Sequence, residues 1–181
     1  MCENPESSSA WSIKGLGAIG PDPDLKDGLK LFGQFVGDWT IAKARYLKSD
    51  GKWAVFRGEA HFGWILGGTA VQDVWIGYPE GSEKMGLYGT TVRFYDSEID
   101  AWRSTWLSPL KRYVQTFIAR KIDNEIVLEE KNFKDYPTKW IFSEITKKSF
   151  RWHAEESHDS GKTWKLTEEM QIQRVGEQQK A

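Results

Sequence analysis

The run KWAVFRGEAHFGWILGGTAVQDVWIGY, residues 52–78, decides the fold. Gly67-Gly68 stands between two segments whose apolar residues recur at every second position, the signature of a tight β-hairpin. A two-residue turn there pairs Leu66 with Thr69, Trp64 with Val71, Phe62 with Asp73 and Ala60 with Trp75. One face then carries Ala54, Phe56, Gly58, Ala60, Phe62, Trp64, Val71, Asp73 and Trp75. The other carries Arg57, Glu59 and His61, as a solvated surface should. The apolar face points into a core and takes Asp73 with it.

Outward from this hairpin the pattern repeats. Strands are expected over 38–47, 52–65, 69–78, 85–95, 100–107, 111–121, 125–131, 138–144, 149–157 and 163–174. Turn signals separate them at Ser49-Asp50-Gly51, Pro79-Glu80-Gly81, Asp96 to Ile99, Ser108-Pro109, Asp123-Asn124, Asp135-Tyr136-Pro137, Lys147-Lys148 and Asp159-Ser160-Gly161. Such spacing without helical interruption indicates an antiparallel sandwich or barrel. About ten consecutive strands favour closure, because closure removes exposed edges. The expected fold is therefore all-β: a closed up-and-down antiparallel β-barrel of about ten strands with one short N-terminal helix. That helix is expected over 24–35. Asp22-Pro23 reads as its cap and first turn, and Leu25, Leu29, Phe32 and Val36 lie along one face. Residues 1–20 read as a flexible tail, 21–175 as the barrel and 176–181 as a second tail.

Two further hairpins set which side chains face inward. A four-residue loop over Asp96 to Ile99 places Arg93 opposite Trp102, Thr91 opposite Ser104 and Gly89 opposite Trp106. The other phase would turn Thr90, Val92, Phe94, Ala101, Arg103 and Thr105 inward; the first phase is preferred. Near the end, Ser157-His158-Asp159-Ser160-Gly161-Lys162-Thr163-Trp164 matches the Asp-box pattern Ser-x-Asp-x-Gly-x-Thr-Trp. Asp159 can accept bonds from backbone amides there, so the motif reads as the structural turn of a hairpin. A three-residue loop sets Trp152 opposite Glu168, Phe150 opposite Met170 and Ala154 opposite Leu166, which leaves Glu168 inside.

Bulk properties narrow the function. Of 181 residues, 25 are basic and 26 acidic, a net charge of −1 that gives no electrostatic footprint for nucleic acid or an anionic membrane. No run reaches the ~20 apolar residues of a membrane helix. The single cysteine, Cys2, excludes an intramolecular disulfide and suits a reducing compartment, so a cytoplasmic location is expected. Ten Trp, nine Phe and six Tyr are enough to build both an aromatic core and a ring-lined pocket.

Several residues together resemble the calycin superfamily of lipocalins and fatty-acid-binding proteins. Gly37-Asp38-Trp39 is similar to the Gly-x-Trp motif that opens the first lipocalin strand. Arg174 stands where the lipocalin barrel has an arginine packing over that tryptophan. The stretch from Trp64 to Trp106 also looks like a family of uncharacterised lipocalin-like proteins. The resemblance covers about residues 21–175 and implies a ligand-enclosing barrel without implying an activity. Lipocalin disulfides are absent. The Arg-x-Tyr carboxylate triplet of fatty-acid-binding proteins is absent from the last strand, where Gln171-Ile172-Gln173-Arg174 stands, so no fatty-acid carboxylate site is implied.

Asp73, Arg93 and Glu168 are the ionisable groups expected inside. Asp73 and Arg93 lie on consecutive strands and could form an interior ion pair that holds register, or Arg93 could meet a carbonyl or carboxylate of a ligand. Asp73 or Glu168, with a raised pKa, could act as general acid or base. Trp64, Trp75, Trp102, Ser104, Trp106 and Trp152 complete the expected ligand-binding set. His61, His153 and His158 lack metal-ligand spacing, and His61 and His153 fall on the outward phase of their strands. Some calycin barrels hold haem through one histidine, but no metal or cofactor is expected here. No nucleophile elbow, Walker loop or dinucleotide fingerprint occurs. Two functions remain. One is binding of a small, largely apolar molecule, aromatic or isoprenoid-like, in a Trp-lined cavity. The other is a cofactor-free cyclase, isomerase or hydratase using a cavity carboxylic acid.

Overall fold

The structure, a computed structural model, describes residues 16–25, 27–133 and 135–176. Ten strands run β1 (Gly37–Leu47), β2 (Trp53–Ile65), β3 (Ala70–Pro79), β4 (Leu87–Asp96), β5 (Ala101–Ser108), β6 (Tyr113–Ile122), β7 (Glu125–Lys131), β8 (Thr138–Ser143), β9 (Ser149–Glu156) and β10 (Lys165–Arg174). Each is antiparallel to its sequence neighbour, and β1 pairs with β10 to close the barrel. The up-and-down order follows from short hairpin connections between strands of period two.

The β2–β3 hairpin has the expected register: Ala60 pairs with Trp75, Phe62 with Asp73 and Trp64 with Val71. Its turn takes positive φ at Leu66, Gly67 and Gly68, and the Thr69 amide donates to the Leu66 carbonyl at 3.3 Å. Two other registers need correction. Arg93 pairs with Ser104, Thr91 with Trp106 and Tyr95 with Trp102, because the loop is 97–100 rather than 96–99. Glu168 pairs with Ala154, Met170 with Trp152 and Ile172 with Phe150, with a bulge between Leu166 and Glu168. Each shift is two residues, so the face on which each side chain lies is unchanged.

The helix is shorter than its periodicity suggests. Of the segment expected as helix, the described residues place α-helix at Lys30–Gly33 (α1), with turns at 23–25 and 27–29. Leu29, Phe32 and Phe35 are buried, but Leu25 is exposed. The segment is shaped by what it leans on: a side chain at Gly33 would bring Cβ within 2.6 Å of the Trp64 ring. Of the segment expected as a tail, residues 1–15 lie outside the described residues. The Ala18 amide donates to the Trp64 carbonyl at 2.8 Å, and that of Asp22 to the Gly68 carbonyl at 3.0 Å.

At the entry to the barrel Trp39 is buried, and its indole Nε1–H donates to the Phe35 carbonyl at 2.6 Å. The Arg174 guanidinium lies 4.0 Å above the Trp39 ring. It also donates to the carbonyls of Val36 at 2.8 Å, Gln34 at 2.7 Å and Lys147 at 2.9 Å. One side chain thereby ties the last strand to the residues that follow α1.

Candidate functional site

The two ends of the barrel differ. At one end, where β1 begins and β10 finishes, Phe32 and Phe35 plug the interior. The Phe32 ring meets Trp102 edge-on at 5.0 Å, and Phe35 meets Phe150 at 4.8 Å and Phe62 at 5.7 Å. The other end is framed by the loops 48–52, 80–86, 109–112, 132–137 and 157–164. A cavity of about 440 Å³ lies on that side. This is within the range of small-molecule sites.

Four indoles wall the cavity: Trp75, Trp106, Trp140 and Trp152. They form a continuous chain, with Trp75 to Trp152 at 6.2 Å, Trp152 to Trp140 at 5.4 Å and Trp140 to Trp106 at 5.9 Å. Their planes are inclined by 47°, 66° and 79°, so they turn corners instead of stacking and present faces in several directions. Gly89 makes room for one of them, since a Cβ there would lie 2.3 Å from the Trp106 ring. Tyr46, Pro79, Tyr113 and Glu156 border the cavity at or near the ends of their strands, and Lys111 borders it from the turn between β5 and β6.

Arg93 and Thr91 form part of the lining nearest the aromatic plug, and both are buried. Arg93 Nη2 lies 2.5 Å from Asp73 Oδ2. Asp73 is fully buried, and its Oδ1 accepts from the Thr91 amide at 2.9 Å. The guanidinium is held over the rings of Phe32 at 4.6 Å and Phe62 at 5.7 Å. The ion-pair contact is close but off the alignment of a hydrogen bond, so Asp73 Oδ2 has no hydrogen-bond partner, and neither do Arg93 Nε and Nη1. A buried pair of this kind holds its charges together chiefly because either one alone would be far costlier.

Glu168 is the second interior carboxyl. It follows the β10 bulge, with Ala154 of β9 and Tyr46 of β1 as its cross-strand neighbours. What surface it retains faces the cavity. Burial pushes its pKa up to about 7, against a smaller downward pull from Lys111. Near neutral pH the group therefore exists in both protonation states.

The structure brings Trp75, Arg93, Trp106, Trp152 and Glu168 to one cavity. Asp73 stands behind Arg93, and Ser104 is buried beside Arg93 on β5 with its hydroxyl unpartnered. Trp102 belongs to the plug, and it borders a shallow depression between α1 and β4–β6 on the far side. Trp64 packs by Gly33 at that same end. Trp140, Lys111, Tyr113 and Gln115 line the cavity without having been expected there. The 138–144 and 111–121 segments offer no tight turn from which to argue phase, although Trp140 alternates with Phe142 and could have been placed by that pattern.

No histidine lines the cavity. His153 does lie on the outward face, but it is buried, not solvated, with Ile141 beside it on β8. The Arg151 guanidinium donates to its Nδ1 at 3.0 Å, which requires the neutral ring. Burial, reinforced by the Arg151 charge, lowers its pKa to about 4. Among the described residues no cluster of three His, Cys, Asp or Glu side chains could hold a metal ion.

Together these features define a closed ten-stranded antiparallel β-barrel with a plugged end and an aromatic cavity at the other. No protein-family model matches the sequence, and comparison with curated proteins gives no match either. Solved structures do match in fold. One is the S-type phycobiliprotein lyase CPES from Guillardia theta, at 12% identity and TM-score 0.54, covering 86% of this chain and 99% of that one. Another is Rv2717c from M. tuberculosis, at 10% identity and TM-score 0.58, with the same coverage. At these identities the likeness is one of fold.

Proposed function

We propose that this chain binds one small, largely apolar molecule, aromatic or isoprenoid-like, inside the barrel. The observation that carries this reading is the 440 Å³ cavity walled by Trp75, Trp106, Trp140 and Trp152. Indoles on several sides supply contact area at little cost in side-chain freedom. Arg93, fixed by Asp73 and clamped on Phe32 and Phe62, would offer hydrogen-bond donors to a polar end of the ligand. Trp102 and Trp64 would stiffen the plug beneath, and Ser104 would support Arg93. The lone cysteine agrees with a cytoplasmic protein. Native mass spectrometry of protein isolated from its own source would weigh the bound molecule. Release of only water and buffer, together with unchanged Trp fluorescence on titration with apolar dyes, would overturn the reading.

A second reading rests on Glu168. A carboxyl held near pKa 7 against aromatic walls is suited to protonating a bound alkene or carbonyl, as a cofactor-free cyclase, isomerase or hydratase requires. In that case Glu168 is the acid and Asp73 only orients Arg93. Glu168→Gln would then abolish turnover of the identified ligand while leaving its binding intact.

A further inference from the structure

The charges around the cavity do not balance. Asp73 answers Arg93. Glu168 has no such partner: among the described residues it makes no hydrogen bond and no ion pair, and Lys111 acts on it only at a distance. Yet Glu168 lines the same cavity as Trp75, Trp140 and Trp152. Its neighbour Ala154 pairs with Trp140, and the next inward residue of β10, Met170, pairs with Trp152. A carboxylate sharing a cavity with indole faces set at steep angles to one another is a combination that attracts a cation from two sides, through charge and through the ring quadrupoles.

Resting on the binding reading above, we infer that the ligand carries a cationic nitrogen, seated between Glu168 and the rings of Trp75, Trp140 and Trp152. The ligand class is a lipophilic amine or quaternary ammonium compound. Its apolar body fills the space towards Trp106, and its nitrogen completes the ion pair that the protein leaves open. A carboxylate ligand is disfavoured: it would meet Glu168 with like charge, Arg93 is already neutralised by Asp73, and the other cation of the lining, Lys111, stands on the loop at the cavity's border.

Three probes of one shape test this. 1-Adamantylammonium, 1-adamantanol and 1-adamantanecarboxylate differ only in the charge of the head group. Calorimetric titration at pH 8, where Glu168 is ionised, should find the ammonium bound about tenfold tighter than the alcohol and the carboxylate weakest. Glu168→Gln should erase the advantage of the ammonium over the alcohol while leaving alcohol affinity in place. As pH falls below about 7, ammonium affinity should fall and binding should release protons. Tyr46 on β1, Tyr113 on β6, Glu156 on β9, Lys111 and Arg93, with Asp73 behind it, also face the cavity, so the variant assigns the response to Glu168. Equal affinities for ammonium and alcohol, an advantage that survives Glu168→Gln, or tightest binding of the carboxylate would overturn the inference and leave an apolar binding cavity standing. Failure of all three probes to bind would overturn both readings.

Discussion

Glu168 should be visible in the stability of the empty barrel. Its ordinary pKa is 4.5 and its folded value about 7. Between these the folded chain binds more protons than the unfolded one, so stability falls as pH rises, and the loss is complete above 7. Glu168→Gln should therefore be more stable than the parent at pH 8, by about 1–3 kcal/mol, with the difference vanishing below pH 4.5 in chemical denaturation. Asp73→Asn should act the other way. It strands the Arg93 charge in a buried site and should cost about 3–5 kcal/mol. Adding Arg93→Met should recover much of that loss; if the double variant is no better than the single, the pair is not the cause. Both residues were legible as interior because strand phase has period two. The Asp73–Arg93 pairing was one of two readings their consecutive strands allowed; that Glu168 has no ion partner was not legible, because it depends on which side chains meet across the barrel. Arg93 reaches diagonally to Asp73, whose own cross-strand partner is Thr91, and Glu168 has only Ala154 and Tyr46 opposite it.

At the scale of elements, the Asp-box hairpin behaves as its sequence suggests. Asp159 Oδ1 accepts from the Thr163 amide at 2.8 Å and the Ser157 hydroxyl at 2.9 Å, and Oδ2 accepts from the Thr163 hydroxyl at 2.7 Å. The Ser157 oxygen in turn accepts from the Gly161 amide at 2.7 Å. These bonds hold the Asp159 carboxyl down to about pKa 2. Asp159→Ala should lower the melting temperature without changing ligand affinity. A selective loss of binding at unchanged melting temperature would instead make this loop part of the cavity mouth. Such a turn is readable because all its contacts lie within eight residues. The helix was not readable in the same way. Its apolar spacing is that of a three-turn helix, but Gly33 must pass within touching distance of Trp64, and that contact spans 31 positions. Likewise Trp102 and Trp106 share a face of β5 yet serve different ends of the barrel. Only the position of the plug decides which one a ligand can reach.

For the whole molecule, the pH response is a sum of opposing slopes. His153 has an ordinary pKa of 6.5 and a folded value of about 4. The unfolded chain binds the proton more readily, so stability is lost as pH falls from 6.5 to 4. Glu168 gains stability over the overlapping window. The parent should therefore show a nearly flat melting temperature between about pH 4.5 and 6.5. Glu168→Gln should tilt that profile upward with pH, and His153→Gln should tilt it downward. Parallel profiles for the two variants would show that these groups do not govern it. Below this window Asp96, Asp159 and Glu169, all lowered by their hydrogen bonds, dominate acid unfolding. The fold itself was legible at this scale because closure asks only for enough strands, short turns and consistent phase.

The Arg174 clasp has a practical corollary. By gripping the carbonyls of Gln34 and Val36 it brings the start of β1 and the finish of β10 to the plugged end, opposite the cavity mouth. A reporter domain or surface tether attached after Gly176 would then leave ligand traffic unobstructed. Joining Gly176 by a linker to the segment that precedes Ala18, so that the plug is kept, and reopening the chain at loop 123–124, would place the new termini at the same plugged end. Such a circular permutant should still take up ligand, which makes this barrel a natural chassis for a sensor.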